Sequence, residues 1–267
     1  MIASTRMYNA VPAAARAWRE LLETVFAAAQ ADIAFIEHSH PLPIADLWAR
    51  QDLACGFMCG WPFVTSGKMR AIAAPVPSPP AYECLPRYRS EFLVRAADRW
   101  HSLEETFGQR LGWMSLDSQS GFNAPRAHLA AFVREGRRTL FRESKGPLGS
   151  PMAALQALKD EVVDVIALDS YFLDLVRHHE PGRLRDLRSI DATAWMPIPL
   201  LVAAPGIDLG VVTRVRTELL RANATPEGRA LLEPLLLDRF VAPDVAAYGA
   251  LQRMARDAAA VGYDAIG

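Results

Sequence analysis

The chain has 267 residues, 51% of them hydrophobic and 22% charged, with a formal charge of −1. That length suits one large α/β domain or two modest ones with ample core. Near-neutral charge argues against a nucleic-acid or anionic-membrane binder, which would show a basic excess, and no apolar run reaches the roughly 18 residues a membrane helix needs.

In chain order, Ile2–Tyr8 reads as a strand and Ala10–Ala29 as a helix, with Ala15, Trp18, Leu21, Leu22, Val25 and Phe26 at three- and four-residue spacing. Ile33–Ile36 is a second strand, Pro43–Arg50 a helix with Pro in its first turn, and Asp52–Gly56 an edge-like strand before a Gly60-Trp61-Pro62 turn. Met69–Ala73 is a strand, and residues 76–81 are the clearest breaker cluster. Then come strand Arg89–Arg95, short helix Leu103–Phe107 capped by Ser102, strand Leu111–Met114, helix Gly121–Arg134 and strand Leu140–Glu143. Helix Pro151–Lys159, strand Val162–Leu168, helix Ser170–His178, strands Leu184–Ile190 and Ile198–Ala203, and helices Leu209–Arg221, Glu227–Leu236 and Pro243–Val261 complete the pattern.

Regular β–α alternation predicts mostly parallel sheets flanked by helices. One sheet of about ten strands would be large for this length, so two lobes are expected: residues 1–85 plus 198–267, and an inserted lobe of residues 86–197, joined by two hinge crossings near 82–90 and 191–199. Ligands of such a fold sit between the lobes, outside the carboxyl ends of strands.

Asp117-Ser118-Gln119-Ser120-Gly121 is the most informative segment. It stands between a buried strand and a helix, where unpaired N–H groups and the dipole favour an anion. Ser118 and Ser120 add donors, and Gly121 lets a ligand approach the backbone. The same residues also suit an ordinary N-cap. On the anion reading, Gly121→Val or Ser120→Asp abolishes binding and leaves the fold intact.

Several segments together resemble the phosphonate/phosphite-type solute-binding proteins of ABC importers: the strand from Ile2 into a helix, Asp46-Leu47-Trp48, Cys59-Gly60-Trp61-Pro62, residues 88–95, Asp117–Gly121 and Val163–Asp169. The resemblance implies a two-lobed type 2 periplasmic-binding fold, a small anionic or zwitterionic solute, a membrane permease as partner, no cofactor, and a monomer. The family's Ser-Thr-Ser-Gly phosphonate cradle matches Ser118-Gln119-Ser120-Gly121, with Gln119 in place of the middle hydroxyl. A family His after a Gly-Ser turn falls where this chain has Gly149-Ser150-Pro151. The resemblance also makes Tyr8, Trp61, Ser150 and Asp169 candidate ligand-binding residues. By their own chemistry, Tyr8 equally suits core packing and Asp169 equally suits capping the helix from Ser170. The two departures imply that a 2-aminoalkylphosphonate binds one to four decades below family strength, at about 1–3 kcal/mol per lost hydrogen bond.

Other clusters point to no chemistry. Cys55 and Cys59 lack metal-site spacing and read as small buried hydrophobes, and His38-Ser39-His40 has no companion ligand. His178-His179 suits a helix C-terminus, Trp195 suits hinge packing, and Arg134, Arg137, Arg138 and Arg142 read as solvated surface. No catalytic or dinucleotide fingerprint is present. The alternative is a cytoplasmic, dehydratase-like enzyme on the same fold. No basic start and apolar core precede the first helix, so the periplasm is expected if a leader has been removed and the cytoplasm otherwise.

Overall fold

The structure, a computed structural model, describes residues 1–9, 11–133 and 139–266. Among these, the chain forms two compact units: Met1–Arg87 with Pro197–Ala247, and Tyr88–Met196 with Tyr248–Gly267.

The first unit opens with β1 (Ile2–Ser4), which is shorter than Ile2–Tyr8 because the backbone turns at once, the Tyr8 N–H reaching Thr5 O at 2.9 Å. Helix α1 (Pro12–Ala28) starts at a proline, whose missing N–H is no loss there, and buries Trp18, Leu21, Leu22, Val25 and Phe26. β2 (Ala34–Phe35) and β3 (Leu53–Met58) flank β1, both parallel to it, with α2 (Ile44–Trp48) between them in sequence. β3 is buried throughout and interior to the sheet, not the edge strand its sequence suggested. Helix α3 (Gly60–Ser66) ends at Gly67, whose φ of 60° is the left-handed stop glycine supplies without strain. β4 (Arg70–Pro77) runs into the breaker cluster, and β5 (Arg87–Tyr88) carries the chain out.

The second unit contains β6 (Ser90–Arg95), β7 (Arg110–Gly112), a π-helical turn (Gln119–Asn123) that continues into α4 (Ala124–Ala130), β8 (Glu143–Lys145), α5 (Pro151–Lys159), β9 (Val165–Asp169), α6 (Ser170–His179) and β10 (Leu187–Ala192). Its sheet has the order β10-β6-β9-β7-β8. Phe92, Val94, Leu111, Leu129, Phe141 and Val165 form the core. At one end of the sheet Asp164 is 4% exposed and is gripped by two arginines. Arg110 donates its Nε at 2.8 Å and its terminal nitrogen at 2.7 Å, and Arg95 donates at 3.0 Å.

β11 (Met196–Pro197) pairs with β5 and leads back to β12 (Leu200–Ala203), α7 (Leu209–Arg221), α8 (Pro226–Leu232) and β13 (Leu237–Val241). The first sheet has the order β13-β4-β12-β3-β1-β2. Both sheets are mixed rather than mostly parallel. The strands that bring the chain into each unit, β6 and β12, run antiparallel to both of their neighbours. They arrive directly, without the crossover helix that makes successive strands parallel.

The chain changes unit inside both expected stretches, at 87/88 and 196/197, and a third time at 247/248. Residues 248–266 therefore belong with the second unit, not with the first as the assignment of 198–267 had it. Helix α9 (Gly249–Ala260) packs on α4. Arg126, on α4, donates to the carbonyls of Ala255, Tyr263 and Asp264, and Tyr263 and Ile266 enter the core. Arg134, Arg137 and Arg138 lie outside the described residues.

Candidate functional site

The candidate site of the second unit is set by three adjacent strands. β9, β7 and β8 are neighbours and parallel, so their carboxyl ends lie side by side. Each is followed by the start of a helix. The loops after β7 and β8 are zipped together: Leu148 N–H meets Trp113 O at 3.0 Å, and Gly149 N–H meets Met114 O at 3.0 Å. The turn at Gln119–Asn123 packs on β9. Ser118, Ser120, Ser150 and Asp169 therefore share one edge of one sheet, where helix N-termini concentrate positive potential.

All three helix starts are capped by the candidates themselves. Ser118 Oγ accepts from Gly121 N–H at 2.9 Å, and Ser150 Oγ accepts from Ala153 N–H at 3.1 Å. Asp169 Oδ1 accepts from the N–H groups of Tyr171 at 2.8 Å and Phe172 at 3.0 Å. Of the two roles open to Asp169, the cap is the one seen.

Two residues differ from the sequence reading. Gln119 is fully buried and turned inward. Its carbonyl accepts from Asn123 Nδ2 at 2.9 Å, and its amide nitrogen faces the sulfurs of Met196 at 3.2 Å and Met254 at 3.5 Å. Its side chain anchors the turn. Gly121 lacks a β-carbon because Met114 occupies that space: an added Cβ would stand 2.7 Å from Met114 Cβ. The glycine admits a neighbouring side chain, not a ligand.

Tyr8 and Trp61 belong to the first unit, at the carboxyl ends of β1 and β3. Tyr8 is 2% exposed and packs edge-on against Phe57 at 4.9 Å. Trp61 is half-buried in the first turn of α3, not in a loop, because Pro62 at an early helical position leaves no donor unpaired.

Sequence reasoning missed Arg89, Ser90 and Thr193. Ser90 pairs with Asp169 across β6 and β9, and its N–H donates to Thr193 Oγ1 at 3.0 Å. The Oγ of Ser90, like that of Ser4 at the end of β1, is buried with no hydrogen-bond partner among the described residues. The signal available was a polar residue opening a strand with an apolar centre.

Elsewhere, Cys55 and Cys59 are buried and Cys84 is exposed. Burial pushes the Cys55 thiol up to about 12. His38 Nε2 lies 2.8 Å from Pro43 O, which makes it part of its own loop. Among the described residues, no group of three or more His, Cys, Asp or Glu could hold a metal ion, and no helix is long and apolar enough to cross a membrane.

The family profile described as "ABC transporter, phosphonate, periplasmic substrate-binding protein" matches residues 13–248. No curated protein matches the chain by sequence. Among solved structures, a binding protein component of an ABC phosphonate transporter from Pseudomonas aeruginosa superposes with a TM-score of 0.81 at 14% identity, covering 98% of this chain and 87% of that one. PhnD1 from Prochlorococcus marinus, solved with methylphosphonate, gives 0.77 at 16% identity, covering 96% and 97%. XAC2383 from Xanthomonas citri, solved with chloride, gives 0.70 at 18% identity, covering 98% of each chain. These likenesses place the fold in the type 2 periplasmic-binding class.

Proposed function

The chain belongs to the periplasmic substrate-binding proteins of phosphonate ABC transporters, and from that premise we propose that it captures a small phosphonate-like anion at the carboxyl edge of its second unit. The observation that carries the reading is the convergence of three helix starts on adjacent parallel strands, with Ser118 and Ser120 on the first of them. Oriented N–H groups bind an anion without a full countercharge. The family is one of transporter binding components, not enzymes, and implies a small-molecule solute and a membrane permease. We take the protein to act as a periplasmic monomer that hands its solute to that permease, without nucleic acid.

Gln119 and Pro151 set the expected strength. The amide of Gln119 is committed to Asn123 and two methionines, and Pro151 offers no donor. Each missing hydrogen bond lowers affinity by about 1–3 kcal/mol, so an aminoalkylphosphonate binds less tightly than to a turn carrying a hydroxyl and an imidazole. The test is calorimetric titration of the full chain with methylphosphonate, phosphate, phosphite and simple sulfonates and carboxylates. The reading expects saturable phosphonate binding that falls at least about tenfold in Ser120→Asp, which sets a carboxylate at the helix mouth. Unchanged affinity in a folded Ser120→Asp protein, or binding confined to carboxylates, refutes it.

A further inference from the structure

We infer that Arg89 is a ligand-binding residue that receives a second anionic group, so that the solute is a phosphonate carrying a carboxylate rather than an ammonium; this rests on the phosphonate reading above. Arg89 stands immediately before β6. Its N–H donates to Ser170 Oγ at 3.2 Å, and Ser170 N–H donates to Arg89 O at 2.9 Å. These two bonds tie it to the first residue of α6, at the carboxyl end of β9. That is the strand against which the Gln119–Asn123 turn packs. The backbone of Arg89 is therefore fixed at the candidate edge.

Its side chain is fixed too. The guanidinium lies over the Trp195 ring, 4.8 Å from the centroid. Among the described residues, no carboxylate forms a salt bridge with it. Other well-held arginines of this unit have their donors engaged: Arg95 and Arg110 pair with Asp164, Arg177 pairs with Glu91 and Asp174, and Arg126 and Arg188 donate to backbone carbonyls. Among the described residues, Arg89 is thus a positioned cation without a carboxylate counter-ion. The Trp195 indole lies against the guanidinium, whose fork of N–H donors matches a carboxylate or phosphoryl group. Stacking also reduces the freedom lost when that fork is engaged.

The neighbouring carboxylate does not favour an amine instead. Asp169 Oδ1 is already shared by two amides at the start of α6, and an ammonium placed there would meet the like charge of Arg89. A dianionic phosphonate pairs one end with the Ser118–Ser120 turn and the other with Arg89.

The experiment titrates the full chain with methylphosphonate, 2-aminoethylphosphonate and 3-phosphonopropionate, using the native protein, Arg89→Gln and Arg89→Lys. Melting temperatures report whether each variant is folded. Native protein should bind 3-phosphonopropionate at least about tenfold more tightly than methylphosphonate, the span of one charge-assisted hydrogen-bonded contact. Arg89→Gln should erase that preference, with 3-phosphonopropionate losing at least about tenfold more affinity than methylphosphonate. Arg89→Lys should keep part of it, as a charge without the fork. If 2-aminoethylphosphonate binds best, or the carboxylate preference survives Arg89→Gln, the inference fails and the phosphonate reading stands. If native protein binds none of the three, both fail. Should Arg89→Gln not fold, the ranking of the three ligands on native protein decides.

Discussion

Replacing Gly121 with alanine tests whether that glycine serves packing or ligand approach. A Cβ there would lie 2.7 Å from Met114 Cβ, 2.8 Å from Cγ and 2.9 Å from Sδ. The nearest of these atoms is a β-carbon, which cannot swing aside as a side-chain tip would. The backbones are also tied, because Met114 N–H donates to Gly121 O at 3.1 Å. Relief therefore requires the backbone of the turn to shift. Overpacking of this kind costs about 1–3 kcal/mol. Alanine also stiffens the unfolded chain, which returns about 0.4–1 kcal/mol, so destabilisation wins except at the bottom of the range. At about 2–4 °C per kcal/mol for a protein of this size, Gly121→Ala should melt several degrees below native protein by circular dichroism, and Gly121→Val lower still. A Gly121→Ala protein that melts at the native temperature would refute the packing role. On this account, loss of binding in Gly121→Val cannot be read as blocked ligand approach, because the turn itself has moved.

Four further outcomes follow from the same contacts. Burial opposes ionisation of Asp164, but hydrogen bonds from the Arg110 side chain, the Arg110 amide and Arg95 outweigh it and hold the carboxyl well below the usual range. Its contribution is thus full above the unfolded-state value of about 3.9 and is lost as pH falls toward the native value. Asp164→Asn should cost about 3–5 kcal/mol in urea unfolding at pH 7, and the gap from native protein should narrow in acid. Asp169→Ala, which frees two amides at the start of α6, should cost about 0.5–2 kcal/mol in the same assay; a neutral result would remove the cap. Gln119→Ala strips Asn123 of an acceptor and leaves a hole beside Met196 and Met254, so a loss of about 1–3 kcal/mol is expected. Arg126→Met should speed limited proteolysis in residues 255–266, whose carbonyls it holds, without speeding cleavage in the first unit.

Local chemistry was legible where caps and stripes agreed. Helices α5 and α7 begin and end where the sequence places them, because Ser150 and Asp208 cap them and a proline follows the first cap. Long-range pairing was not legible. β13 falls between the helices read at Glu227–Leu236 and Pro243–Val261, in residues to which the sequence pattern assigns no element. Pro234 and the left-handed Leu236, with φ of 52°, end the first of these helices and turn the chain into a strand along β4. The stripe Leu251, Ala255 and Ala258 marks α9 as amphipathic, but nothing in it says that α4 is the partner. At the site, the positions of Ser118, Ser150 and Asp169 could be read from turn chemistry. The inward aim of Gln119 could not, because it depends on Met196 and Met254, 77 and 135 residues away.

The third change of unit also sets an order of assembly for a chain that emerges with its N-terminal part first. The first unit is begun first but cannot close its sheet until β12 and β13 have emerged. The second unit has its whole sheet once residue 192 is out. It then lacks Tyr263 and Ile266 from its core, and Arg126 lacks the carbonyls it donates to, until roughly 70 residues later. Throughout that interval, the apolar wall over α4 stays open to solvent and to other unfolded chains. Residues 248–266 thus act as a latch on a unit they are not contiguous with, and exposure to aggregation should peak while β12 to β13 are emerging.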